Sequence, residues 1–109
     1  MQIKFQKLFS DVNIAGYTHD GDAGLDLRSR EDKILRPLER YCFKIGIAME
    51  IPDGYVGLIW DRSGLSLKEG VKTIGGVVDA GYRGEIGVSI INLRKKVSRF
   101  KRMIELPRF

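Results

Sequence analysis

The sequence predicts an all-β domain, closed as a barrel or packed as a sandwich, on three observations. No run of roughly 10–15 residues repeats apolar side chains at helical spacing. Short β-forming runs follow one another, separated by Gly- and Pro-containing turns. Within Tyr41–Ile51, Phe43, Ile45, Ile47 and Met49 or Ile51 fall two residues apart, the period of a strand with one face buried.

Taken in order, Met1–Phe5 alternates with period two and reads as a first strand, and residues 11–22 are polar and Gly-containing, a loop. Ala23–Leu27 begins a second strand, and Lys33–Leu35 is another. Arg36-Pro37-Leu38-Glu39 is a turn, and Tyr41–Ile51 is one long strand. Pro52-Asp53-Gly54 turns the chain, Gly54 taking the positive φ. Tyr55–Trp60 returns. Residues 64–68 break the pattern with one short helical turn. Ile74, Val77 and Val78 then face Ile86, Val88, Ile90 and Ile91 as a hairpin with Ala80-Gly81 at its tip. With 109 residues and no linker, repeat or low-complexity stretch, residues 1–109 form a single domain. Its core is shallow, and association with copies of itself would help it.

The composition, 43% hydrophobic and 30% charged, is that of a soluble globular chain. No run approaches the roughly 18 apolar residues of a membrane span, and the N-terminus lacks a secretory signal. One cysteine, Cys42, excludes an intrachain disulfide and fits a reducing, cytoplasmic setting. Its apolar strand context makes it a small core residue. The net charge of +5 invites a nucleic-acid partner, but residues 94–109 carry +6 and residues 1–93 carry −1. A near-neutral body with a basic end argues against such a partner.

One histidine and one cysteine exclude a His/Cys metal centre within one chain, and no GxxxxGK[ST] phosphate loop is present. His19 lies in the polar loop. Three segments nevertheless set polar groups among glycines beside apolar strands. In Gly21-Asp22-Ala23-Gly24-Leu25-Asp26-Leu27, Asp26 alternates with two leucines and faces away from them. Alone it is as readily an exposed strand or turn Asp. In Asp61-Arg62-Ser63-Gly64-Leu65-Ser66-Leu67-Lys68, a guanidinium, a hydroxyl and helix-start amides suit an anion, although Ser63 also fits a plain N-cap. In Gly75–Val88 the hairpin mouth offers backbone groups to a planar base, Tyr82 a flat ring and Asp79 a carboxylate able to activate water. A turn Asp and an edge Tyr are the bland alternative.

In this order and spacing the three segments resemble the signature motifs of the trimeric dUTP diphosphatase (dUTPase) family. The first segment resembles its first motif. Arg62-Ser63-Gly64-Leu65 with Lys68 resembles the second, and Gly76–Ile86 the third. Met49–Gly57 is similar to the family's connecting hairpin, so the resemblance covers roughly residues 1–93.

The resemblance implies a jelly-roll-like β-barrel, the β-clip of that family, assembled as a homotrimer with shared active sites. It implies hydrolysis of dUTP to dUMP and pyrophosphate with Mg²⁺ held mainly by the phosphates. Asp79 would orient the attacking water, and Tyr82 would pack under the deoxyribose. Backbone around Thr73, Val77 and Val78, with Gly87, would bind the uracil. Arg62, Ser63 and Gly64 would hold phosphates of a neighbouring subunit's site, and Asp26 would reach the metal through its waters. Lys101–Pro107 is at best a degraded fourth motif. The Gly-rich closing arm of the family is missing before Phe109, so residues 94–109 read as an atypical or truncated end. That leaves room for a catalytically impaired nucleotide-binding module, and the related dCTP deaminases share the fold and an Arg-Ser motif. Tyr82-Arg83-Gly84-Glu85 fits the diphosphatase better.

Overall fold

The computed structural model describes residues 2–12, 21, 24–62, 66–67, 69–100 and 105–106. Eleven strands lie among them: β1 (Lys4–Lys7), β2 (Leu27–Arg28), β3 (Lys33–Leu35), β4 (Arg40–Lys44), β5 (Ile47–Glu50), β6 (Gly57–Leu58), β7 (Val71–Thr73), β8 (Val77–Val78), β9 (Gly87–Asn92), β10 (Ser98–Phe100) and β11 (Glu105–Leu106). Every pairing is antiparallel.

The pairings nest. β2 pairs with β11, β3 with β10, β4 with β9 and β6 with β8. Between the last two pairs, Ile86 N–H donates to Ile47 O at 2.8 Å and Ile45 N–H to Ile86 O at 3.2 Å. The chain is thus one long hairpin wound on itself, the topology of a jelly roll. β1 borders β5, and β7 folds back along β9. The basic C-terminal stretch is part of this winding. β10 seats Phe100, 3% exposed, against Phe43 with ring centroids 5.2 Å apart.

The core is what the alternation marks. Leu35, Phe43, Val88 and Ile90 are fully buried, and in β9 Val88, Ile90 and Asn92 point inward while their neighbours do not. Lys33–Leu35 and the Pro52–Tyr55 turn form as expected. In that turn Tyr55 N–H donates to Pro52 O at 3.2 Å, and Gly54 takes φ 87°. The turn at Arg36–Glu39 sets Leu38, not a glycine, at φ 66°. A hydrogen bond from Leu38 N–H to Asn92 O at 2.7 Å holds it there.

The long strand expected over Tyr41–Ile51 is two strands. It breaks at Gly46, whose φ of 74° suits glycine. A Cβ there would lie 2.6 Å from Val12 Cγ2 and 2.8 Å from Arg30 Cδ. Both backbone groups are used: Gly46 N–H donates to Glu85 Oε2 and its carbonyl accepts from Leu8 N–H, each at 2.8 Å. Gly46→Ala should therefore lower unfolding free energy by roughly 2–4 kcal/mol in chemical denaturation, combining backbone strain with overpacking.

Candidate functional site

The third segment builds the site, but not as a two-strand hairpin. β8 does not pair with β9; Gly57 faces Val78 and Leu58 faces Val77. The expected positive φ at Gly81 is absent. The left-handed residues are Gly75 and Gly76, at 67° and 101°. Gly76 is required there, because a Cβ would stand 2.8 Å from Ile59 O, and Ile59 N–H donates to Gly76 O at 2.8 Å. This contact anchors β8 to β6 and frees residues 79–86 to arch as the lip of a cleft between β8 and β9.

The lip starts with a β-turn, Tyr82 N–H donating to Asp79 O at 3.1 Å. Arg83 donates from its guanidinium to Ala80 O and Tyr82 O, stiffening the turn from within. Tyr82 lies across Gly84: a Cβ on Gly84 would meet the phenol oxygen at 2.7 Å. Its hydroxyl donates to Glu85 O at 2.7 Å. The ring is thereby fixed while 43% of Tyr82 stays exposed. Glu85 in turn hangs on the Gly46 amide, so the lip is tied to the break in the long strand.

Together these residues enclose an open cleft of about 250 Å³. Of the candidate residues, Val77, Val78, Asp79, Tyr82 and Gly87 line it. Cys42, Lys44, Glu85 and Ile86 line it as well. Cys42 is not a core residue but exposed, one strand across from Ser89. The signal was available: if Phe43 points inward, its neighbours Cys42 and Lys44 point outward. Asp79 is exposed at the lip.

Among the described residues, none from the other two segments lines this cleft. Asp26 was expected to face outward. It is 3% exposed, because β2 begins only at Leu27 and the residues before it do not alternate. Its Oδ1 lies 3.9 Å from Arg62 Nε, which joins the first segment to the second. Ser66 N–H donates to Arg62 O at 2.8 Å, and Ser66 and Leu67 lie in a helical turn where one was expected. Ser63 and Gly64 are outside the described residues. Thr73 is not at the cleft. It is nearly buried in β7, opposite Ile90, and its N–H donates to Asp61 Oδ1 at 2.8 Å.

Asp61 braces the backbone just before Arg62. Burial pushes its carboxyl up, but hydrogen bonds from Lys72 and Thr73 and the Lys72 charge outweigh this, and the net shift is downward. That contribution to stability is present above the unfolded carboxyl pKa and fades as pH falls through the lower, folded one. Among the described residues no three or more His, Cys, Asp or Glu side chains gather to hold a metal ion.

The chain is similar to known proteins in sequence and in fold. A dUTPase family profile matches residues 10–103. The deoxyuridine 5′-triphosphate nucleotidohydrolase of Thermobifida fusca is 44% identical over 94 residues, covering 84% of this chain and 52% of the relative. That of Clostridium tetani is 45% identical over 96 residues, 86% of this chain and 66% of the relative. The chain thus spans between about half and two thirds of these relatives' length. Among solved structures, the dUTPase from phage phi11 of S. aureus superposes with a TM-score of 0.91 at 27% identity, over 99% of this chain and 87% of that one. A single-residue variant of that phage enzyme, described for its coordination of a structural Mg(II) ion, superposes with a TM-score of 0.90, also at 27% identity, over 99% of this chain and 88% of that one. A wound antiparallel barrel with Asp79 and Tyr82 on one turn at its cleft, together with a family match over most of the sequence, places the chain in the dUTPase family.

Proposed function

We propose that this protein hydrolyses dUTP to dUMP and pyrophosphate. The observation that carries the reading is the turn holding Asp79 and Tyr82 at its two ends, at the mouth of an open cleft. Asp79, exposed and unencumbered at the lip, orients a water for in-line attack on the α-phosphorus and accepts its proton. Tyr82, held flat by Gly84 and the Glu85 carbonyl, supports the deoxyribose and leaves no room for a 2′-hydroxyl. Backbone of Val77, Val78 and Gly87 meets the uracil edge and rejects a 5-methyl group. Catalysis of this kind rests on positioning and charge neutralisation.

The reading includes a homotrimer with shared sites, which two observations support. Arg62 lies beside Asp26 and is not among the residues lining the cleft, which fits a role for Arg62, with Ser63 and Gly64, at the cleft of a neighbouring subunit. Leu58 and Val77 are paired on the outer face of β6–β8 and are 41% and 65% exposed; Trp60, 68% exposed, follows two residues later. Such a contiguous apolar face suits burial against another copy.

The donor set fits a magnesium ion carried on substrate oxygens, not one caged by protein. No carboxylate cluster is present among the described residues, and buried Asp26 would act at most through water. Mg²⁺ so held would neutralise phosphate charge. No helix among the described residues is long and apolar enough to cross a membrane. A reducing cytoplasm fits a chain whose single cysteine stands free and exposed.

The test is selectivity: with Mg²⁺, pyrophosphate should be released from dUTP and not from dCTP, dTTP or UTP. Uracil nucleotide formed from dCTP would move the chain to the deaminase branch. The cleft can also be watched directly. Cys42 is the only cysteine and lines it. Maleimide labelling of Cys42 should slow at least fivefold in saturating dUTP, a rough expectation from burial of the thiol beneath ligand. An unchanged labelling rate would put the nucleotide elsewhere.

A further inference from the structure

The cleft contains a cation that neither the three segments nor the reading above employs. Lys44 ends β4 directly opposite Gly87 at the start of β9. Gly87 has no side chain; the Cys42 thiol fills the space where its Cβ would stand, and the Lys44 stem and ammonium lie alongside. A Cβ built on Gly87 would lie 3.7 Å from Lys44 Cδ and 3.6 Å from Lys44 Nζ. The ammonium therefore lies back over the Gly87 backbone, along the cleft wall that it shares with Asp79 and Tyr82. Long lysine stems commonly lie along a surface in this way while the charged end stays in water.

Other basic groups nearby are engaged. Arg83, on the lip, is turned onto Ala80 O and Tyr82 O; farther off, Lys72 pairs with Asp61 and Arg62 lies beside Asp26. Glu85, the other carboxylate on the cleft wall besides Asp79, is drawn to the Gly46 amide. Lys44 forms no salt bridge among the described residues. A mobile ammonium with three donors, placed at a nucleotide cleft and without a carboxylate of its own, is suited to an oxygen of the ligand.

We infer that Lys44 is a nucleotide-contacting residue that donates to an oxygen of the bound deoxyuridine nucleotide, either a phosphate oxygen or a carbonyl of the base. This rests on the dUTP reading of the cleft and adds a residue to it. Glycine at position 87 is required by Cys42, whose Sγ a Cβ there would meet at 2.5 Å, while the Lys44 stem lies at ordinary contact distance beyond it.

The experiment is calorimetric titration of deoxyuridine, dUMP and dUTP into the wild-type protein, Lys44→Met and Lys44→Arg. Methionine keeps the stem over Gly87 and removes the charge; arginine restores a donor. Lys44→Met should bind dUTP about tenfold more weakly, with Lys44→Arg recovering most of the loss and both variants melting within a few degrees of wild type. A loss confined to dUMP and dUTP assigns the acceptor to phosphate, and an equal loss on deoxyuridine assigns it to the base. Unchanged affinities for all three ligands in Lys44→Met, with wild type binding normally, would overturn the inference alone. A wild type that binds none of the three would overturn the dUTP reading and this inference with it.

Discussion

On the proposed mechanism, replacing Asp79 by Asn should lower kcat on dUTP by about a thousandfold, within the range for loss of a general base, and should leave the Kd for dUTP within about threefold. The substitution keeps size and shape. Asp79 takes part in the lip through its main-chain carbonyl, which accepts from Tyr82 N–H and is untouched by the change. Its side chain is exposed and outside the core. The variant should therefore fold and melt like wild type, and a fall in kcat with an unchanged Kd marks a group acting on the reacting water. Equal falls in affinity and kcat would make Asp79 a binding group, and full activity would remove it from the chemistry. Asp79→Ala should behave alike, which separates loss of the base from any effect of the amide.

The largest effect on stability is expected at Asn92. It is fully buried at the inner end of β9 and bridges three stretches of chain. Its Nδ2 donates to Leu35 O at 3.0 Å and Lys96 O at 2.9 Å, and its Oδ1 accepts from Arg94 N–H at 2.9 Å. Its main chain also secures the Arg36–Glu39 turn, in which Leu38 has its left-handed conformation. Asn92→Ala leaves two carbonyls and an amide in or near the core without partners. At about 1–3 kcal/mol for each unsatisfied buried group, partly relieved by water at the outer two, the loss should be roughly 3 kcal/mol. That is a large part of the stability of a domain this size. Equilibrium denaturation should show it as a lower midpoint with an unchanged slope. Ser98→Ala, which removes only an acceptor for Arg94 at 3.3 Å, should cost well under 1 kcal/mol and serves as the comparison. A loss at Asn92 no larger than at Ser98 would mean the bridge is not what holds the two loops together.

How far the fold was legible depends on whether the information was local. Lys33–Leu35 and the Pro52–Tyr55 turn are written in adjacent residues, and both form as read. The break at Gly46 was not legible, because apolar residues flank it on both sides and the alternation runs straight through. What bends the chain is distant: Val12, Arg30 and Glu85 converge on one glycine. The Gly75–Val88 stretch misled for the same reason. Its composition suits a tight hairpin, yet β8 finds β6, and only Ile59 against Gly76 reveals why. The basic C-terminal stretch looked solvated by charge alone, whereas Phe100 plugs the core from β10.

The candidate site was more legible than the strands that carry it. Val77, Val78, Asp79, Tyr82 and Gly87 do meet at one cleft, since a lip of short range depends mainly on its own glycines and on Tyr82. Lys44 was overlooked and Cys42 was taken for a core residue because strand β4 was read for its inward face only. Asp26 and Thr73 were placed by alternation and position, and the structure buries both. Their burial follows from where β2 starts and from Asp61 reaching the Thr73 amide, neither of which is a local property.

The central claim is hydrolysis of dUTP at the α-phosphorus, and turnover of dUTP with Mg²⁺ in ¹⁸O-labelled water tests it most directly. The account predicts one ¹⁸O in the dUMP and none in the pyrophosphate, because the Asp79-oriented water attacks the α-phosphorus and pyrophosphate leaves. Label in the pyrophosphate, release of inorganic phosphate as the first product, or no turnover by folded protein would contradict it.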